Sequence, residues 1–386
     1  MNQKTMLAFK IDAENPQGKV QEVPIPSPLP GEALIKVLRA GVCNTDLEIQ
    51  RGYMGFSGIL GHEFVGTVES VNCVDEQQQV WVGKRVCGDI NLACNDCCVC
   101  SLKTDRSRNH CPTRTVLGIL NKDGTMSEYL TLPVRNLHEV PATVTDEEAI
   151  FTEPLAAACR IIEQDLINSV TDRVAILGDG KLGLMIAEVI GREYLKACSE
   201  NPEVSPPQPV LIGKHTQKMD LVQESGIKQL SLSECKASDH SLKKELSQSF
   251  DGKNLTTISL HNGFYINLYL NNTVVIDATG SPAGLSLSSS LCRPMGTIVL
   301  KSTCASGEMF NAAPFVIDEL KVVGSRCGPF PKALELLSLD ENNDENLKPL
   351  RVGKYVTKCF QLSEAEEALK FAAEKSTMKV QIVCSR

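Results

Sequence analysis

The hydrophobic pattern changes character once along the chain. Up to about residue 140, short β-branched runs alternate with Gly- and Pro-rich punctuation, which predicts a compact β-rich domain. Residues 33–40 read as one of its strands, and the proline-rich stretch 24–31 before it cannot sustain a hydrogen-bonded ladder. Residues 151–168 read as a helix leading out of that domain. Beyond it, continuous apolar runs of strand length stand at 174–177, 209–212, 273–277 and 296–300. Strands alternating with helices predict an α/β fold with a doubly wound parallel sheet. The expected division is 1–155 for the β-rich domain, 156–304 for the α/β domain, and a return of 305–386 to complete the first.

The run 174–177 leads directly into Gly178-Asp179-Gly180-Lys181-Leu182-Gly183 and then Leu184-Met185-Ile186-Ala187, a strand, a tight turn and a helix start. In this G-x-G-x-x-G, Gly178 permits the turn, Gly180 lets backbone approach a pyrophosphate, and Gly183 lets helix and strand pack closely. The unpaired N–H groups of the helix start would face the phosphates. The context favours a dinucleotide site, although the same glycines would also suit a purely structural turn.

Composition narrows the classes further. A length of 386 residues is enough for two domains with separate cores. The net charge of −8 offers no basic footprint for nucleic acid or an anionic membrane. No apolar run approaches the ~20 residues of a spanning helix. Residues 1–5 lack the apolar core of a signal peptide, so a cytoplasmic location is the default expectation. The sixteen cysteines are then expected as thiols or metal ligands rather than disulfides.

Cys94, Cys97 and Cys100, closed by Cys111, have the spacing of a four-thiolate structural zinc site, with Cys98 as a spare thiol. Cys43, His62 and Glu153 are the ligand types of an open catalytic zinc site. Spacing does not gather those three. Singly, Cys43 also suits a small buried hydrophobe, His62 a core histidine, and Glu153 a helix-start acid favoured by the dipole.

Several segments together resemble the zinc-containing medium-chain dehydrogenases, the superfamily of alcohol, sorbitol and threonine dehydrogenases. They are Cys43-Asn44-Thr45-Asp46, Gly61-His62-Glu63-Phe64-Val65-Gly66, the cysteine lobe, His110-Cys111-Pro112, Glu128-Tyr129-Leu130 and Glu153-Pro154-Leu155-Ala156. The glycine motif, Asp277-Ala278-Thr279-Gly280-Ser281 and Gly324-Ser325-Arg326-Cys327-Gly328 extend the likeness over nearly the whole chain. The resemblance implies a GroES-like catalytic domain and a Rossmann nucleotide-binding domain. It also implies two zinc ions per chain, one catalytic and one structural, and zinc-assisted hydride transfer on an alcohol, aldehyde or ketone. A homodimer or homotetramer is implied as well. By the same likeness, Cys43, His62 and Glu153 would hold the catalytic zinc, and Glu63 would be an exchanging or supporting ligand. Asp46 would orient His62, Thr45 would be the first hydroxyl of a proton relay, and Cys94, Cys97, Cys100 and Cys111 would hold the structural zinc. Thr279 and Arg326 would approach the cofactor, and Lys379 its phosphates. Glu48 stands where many relatives carry histidine, so the exit of the proton would pass through a carboxylate.

The end of the second Rossmann strand decides the cofactor. NAD-binding sites place an acid there for the ribose 2′-hydroxyl. Here the positions read Gly213, Lys214 and His215, which offer room and cations to a 2′-phosphate. NADP(H) is therefore expected over NAD(H). The stretches 199–209 and 231–272 exceed the usual spacing and read as surface insertions. A zinc-free enone-reductase type is disfavoured by the intact Cys43, His62 and Glu153. The rival from another class is a non-catalytic NADPH-binding regulator that retains only the structural zinc.

Overall fold

The computed structural model describes residues 4–102, 107–232, 256–259, 265–268, 272–301, 311–338 and 348–385. It divides into two units, Met1–Ala156 with Phe330–Arg386, and Ala157–Pro329.

In the first unit, the long strand Glu32–Val42 is the organiser. Its alternating apolar positions, including Ala33, Ile35, Val37 and Ala40, are fully buried. It pairs antiparallel with Glu63–Val71, Tyr129–Pro133 and Lys379–Val383. These belong to a seven-stranded sheet that Arg85–Gly88, Leu137–Glu139 and Val356–Gln361 complete. The C-terminal strand therefore closes a sheet begun at the other end of the chain. Register matters for function: Gly41 stands opposite Glu63, and Val42 opposite Val380. Residues 43, 63 and 379 are thereby delivered to the same end of the sheet.

The second unit is a six-stranded, wholly parallel sheet. Its order is Lys228–Ser231, Val210–Gly213, Val174–Leu177, Asn272–Asp277, Cys292–Leu300 and Lys321–Gly324. In sequence terms this is third, second, first, fourth, fifth, sixth, the Rossmann order, in which dinucleotides bind where the order reverses. Ala175, Leu177, Val275, Leu291 and Ile298 form part of its core.

The first unit runs to Ala156, and the chain returns to it at Phe330, later than the 305 expected from the sequence. The reason is the sixth strand, which pairs with residues 297–300 and keeps the chain in the parallel sheet to 324. The helix expected over 151–168 is Thr152–Glu163. Most of the 231–272 insertion lies outside the described residues; within it Thr256–Ser259 pairs antiparallel with Tyr265–Leu268. Among the described residues, no helix is long and apolar enough to cross a membrane.

Candidate active site

The helix Asn44–Gln50 starts where Glu32–Val42 ends. Asp46 reaches back to accept from the backbone N–H of Cys43 at 2.8 Å, which closes the first turn. Its other oxygen lies 3.4 Å from His62 Nδ1, an ion-pair distance without hydrogen-bond alignment. Asp46 and His62 are both buried. Burial opposes a charge on His62, but Asp46 and Cys43 beside it outweigh that and hold its pKa well above the ordinary value. Donor atoms of Cys43, His62 and Glu63 all lie within 4.8 Å of one another. A cation between a thiol, an imidazole and a carboxylate would relieve what otherwise demands a proton, and this donor set suits zinc.

Glu153 is not in that group of three. It sits in the first turn of Thr152–Glu163, half-buried, and its charge helps raise the pKa of Lys379. Lys379 stands at the same end of the first unit's sheet as Glu63. It is 1 % exposed, its ammonium is bonded to the Glu63 carboxylate, and it stands 5.5 Å from the Phe151 ring centroid. An inward-facing lysine on a strand that is otherwise buried needs an acidic partner. That need, at Lys379 in Lys379–Val383, was the signal in the sequence.

The Thr45 hydroxyl accepts from the Cys43 thiol at 3.8 Å, so it stands beside the candidate metal group. Glu48, one turn on, is half-buried and bonded to Arg51 at 2.6 Å. Ile59, after that helix, is core and packs with Met6 and Ala8.

The cysteine lobe assembles from its spacing. Cys94, Cys97, Cys100 and Cys111 group within 4.8 Å, and Cys98 is left outside the group. The sulfur separations are 3.5 Å for Cys94–Cys111, 3.9 Å for Cys97–Cys111 and 4.0 Å for Cys94–Cys100. Tetrahedral zinc at a Zn–S distance of about 2.3 Å requires sulfurs about 3.8 Å apart, so the donors fit. The Thr113 hydroxyl and the Asp96 N–H bring the Cys94 thiol down to about 6, while burial and the neighbouring thiols push Cys100 up to about 12. Thiols this close share protons until a cation replaces them.

In the second unit, Gly178 adopts φ +109°, and a Cβ on Gly183 would come within 1.9 Å of the Gly178 carbonyl oxygen. The turn and the close approach are therefore both real requirements. A Cβ on Gly180 meets nothing within 4 Å, which leaves open space at the helix start for a ligand's phosphates. Thr279 donates from its hydroxyl (2.7 Å) and its backbone N–H (2.9 Å) to Asp277 and accepts from the Ser281 N–H, so its hydroxyl organises the turn after the fourth strand. The Arg326 carbonyl accepts from Lys301 Nζ at 3.0 Å, beside Ser325 Oγ at 3.2 Å. Gly213, Lys214 and His215 lie at the end of the second strand as expected, but the turn is not free of acid. Asp179, between the first two glycines of the motif, accepts there from Lys214 N–H at 2.7 Å and His215 N–H at 2.5 Å.

Residues 29–142 match the alcohol dehydrogenase GroES-like domain. The starvation-sensing protein RspB of Escherichia coli K12 is 33 % identical over 192 residues, 49 % of this chain, and the chain spans about half of that relative's length (54 %). The sorbitol dehydrogenase of Halalkalibacterium halodurans is 29 % identical over 91 % of this chain and 94 % of its own. Among solved structures, the E. coli CFT073 RspB complexed with NADH has a TM-score of 0.77 at 25 % identity, covering 98 % of this chain and 99 % of the other. A putative zinc-binding dehydrogenase from Sinorhizobium meliloti bound to NADP has a TM-score of 0.75 at 24 % identity, covering 99 % and 100 %. With its GroES-like domain, parallel Rossmann sheet and glycine turn, the chain is similar to the alcohol dehydrogenase-like medium-chain dehydrogenases.

Proposed function

We propose that the chain is a zinc-dependent oxidoreductase that transfers a hydride reversibly between a nicotinamide dinucleotide and a small alcohol, polyol or carbonyl substrate. One observation carries this: Cys43, His62 and Glu63 converge at one end of the sheet with Thr45 beside them. The residue types present fit zinc, and the open space at Gly180 fits a pyrophosphate. When bound, zinc would supply Lewis acidity to the substrate oxygen, and the nicotinamide would give or accept the hydride. The chain's own residues do the rest. Cys43, His62 and a carboxylate from Glu63 or Glu153 would hold the metal, and Lys379 is the alternative partner of Glu63. Asp46 fixes the His62 ring. Thr45 passes the substrate proton, and Glu48, held by Arg51, receives it toward solvent. Cys94, Cys97, Cys100 and Cys111 hold a second, structural zinc. Between cofactors, Gly213, Lys214 and His215 taken alone favour NADP(H), while Asp179 favours NAD(H). A cytoplasmic homo-oligomer acting on small molecules completes the proposal.

The test is metal content together with turnover. Two zinc ions per chain, and oxidation of members of an alcohol and polyol panel with either dinucleotide, are expected. Dinucleotide binding with no turnover on that panel and only one zinc would overturn it in favour of a non-catalytic regulator.

A further inference from the structure

The second Rossmann strand ends without an acidic side chain, yet a carboxylate stands at its end. Asp179 Oδ2 accepts from the backbone N–H groups of Lys214 and His215 and lies 3.0 Å from His215 Nδ1. A Cβ built on Gly213 would come within 2.7 Å of Asp179 Cβ and 2.8 Å of its Oδ2. A side chain at 213 and the side chain of Asp179 would therefore compete for the same space. Gly213 leaves that space open, and the glycine loop fills it. Asp179 is 9 % exposed, so its carboxylate is fixed in the turn rather than free in solvent.

Two effects then work against a 2′-phosphate. Two successive backbone N–H groups that would cradle an anion are already occupied by one. A phosphate brought against the Asp179 carboxylate is also repelled at short range, whereas ribose hydroxyls can donate to that carboxylate. Lys214 pulls the other way, but its side chain is exposed and acts through water of high dielectric constant.

We propose that Asp179 is the specificity-determining residue of the dinucleotide site, standing in for the missing strand-end acid and selecting NAD(H) over NADP(H). This rests on the dinucleotide reading of the proposed function, and it reverses the preference inferred from residues 213–215 alone. Gly213 and Asp179 act as a pair: the small residue on the strand makes room for the acid from the loop.

The experiment is paired fluorescence titration of the full-length protein with NADH and NADPH, free of any substrate. The native protein is expected to bind NADH about ten-fold more tightly or better, the scale of one charge-assisted hydrogen bond. Asp179→Asn keeps the shape and removes the charge, and it is expected to cut that ratio by about ten-fold by strengthening NADPH and weakening NADH. Lys214→Ala is expected to weaken NADPH only slightly, because its charge is solvated. A native preference for NADPH, or a ratio unchanged in Asp179→Asn, would overturn the assignment. The native ratio decides even if the variant fails to fold. Binding of neither dinucleotide would instead remove the dinucleotide reading itself, and this assignment with it.

Discussion

The two candidate metal sites of the first unit are built on opposite terms. The cysteine lobe takes four identical donors from one short stretch. The site at Cys43 takes unlike donors from separate elements, and a lysine ammonium already sits on one of them. The lobe thus needs a cation to hold its shape. The buried site has an internal one in Lys379, so its shape should depend less on metal. Ordinary sheet pairing holds Cys43, Glu63 and Lys379 in place, whereas short 3-10 turns carry the lobe.

The widest separation between the two should appear on ligand removal. Cys111 is fully buried at the base of the lobe. Cys111→Ser is expected to lower zinc content by one equivalent and the thermal midpoint by about 10 °C, since structural zinc contributes folding energy directly. Cys43→Ser is expected to lose the other equivalent with a midpoint shift of about 3 °C or less. Equal shifts in calorimetry would erase the contrast. Next in size is Lys379→Met, which leaves the Glu63 carboxylate buried and unpaired. A loss of about 3–5 kcal/mol in denaturant unfolding is expected, with part recovered in the double variant that adds Glu63→Gln. No recovery would mean that the pair contributes only packing.

A pH test sharpens the comparison from the metal-free side. In protein stripped by a chelator, the folded-state pKa of His62 lies well above 6.5. A proton thus binds the folded form more tightly, so this contribution is fully present below the unfolded value and lost as pH rises through the folded one. The midpoint of stripped protein should therefore fall as pH rises above neutrality, and added zinc should cancel the fall. A flat profile above about pH 6.5, the ordinary histidine value, would count against the charged environment of His62. The smallest effect is expected for Glu48→Gln. Stability should change by no more than about 0.5 kcal/mol, because a surface ion pair with Arg51 is worth little. The pH dependence of turnover should change. An unchanged profile would remove Glu48 from proton transfer.

The same contrast explains what was legible in the chain before its fold was known. The grouping of Cys94, Cys97, Cys100 and Cys111 is visible in their spacing because these thiols are near neighbours in sequence. Continuous apolar runs located the four inner parallel strands for a similar reason: burial on both faces is a local property. The return point was misplaced because Lys321–Gly324 is an edge strand. Its Lys321 and Val322 are exposed, so it lacks the apolar continuity of the inner strands. The contacts of Lys379 and Asp179 were not legible because each acts across a long separation, Lys379 on Glu63 and Asp179 on residues 214 and 215. A carboxylate supplied by the loop to a position the strand left vacant has no linear signature except the coincidence of Asp179 with Gly213.

Lys301 carries a consequence for the architecture as a whole. Its buried ammonium donates to the carbonyls of Ala157 and Arg326 as well as to Ser325 Oγ. Those carbonyls belong to the first and the last few residues of the second unit. One nitrogen therefore fastens the point where the chain enters that unit to the point where it leaves. A domain whose two ends are clasped together can be spliced into another domain's loop, or lifted out of it, without stretching either host or guest.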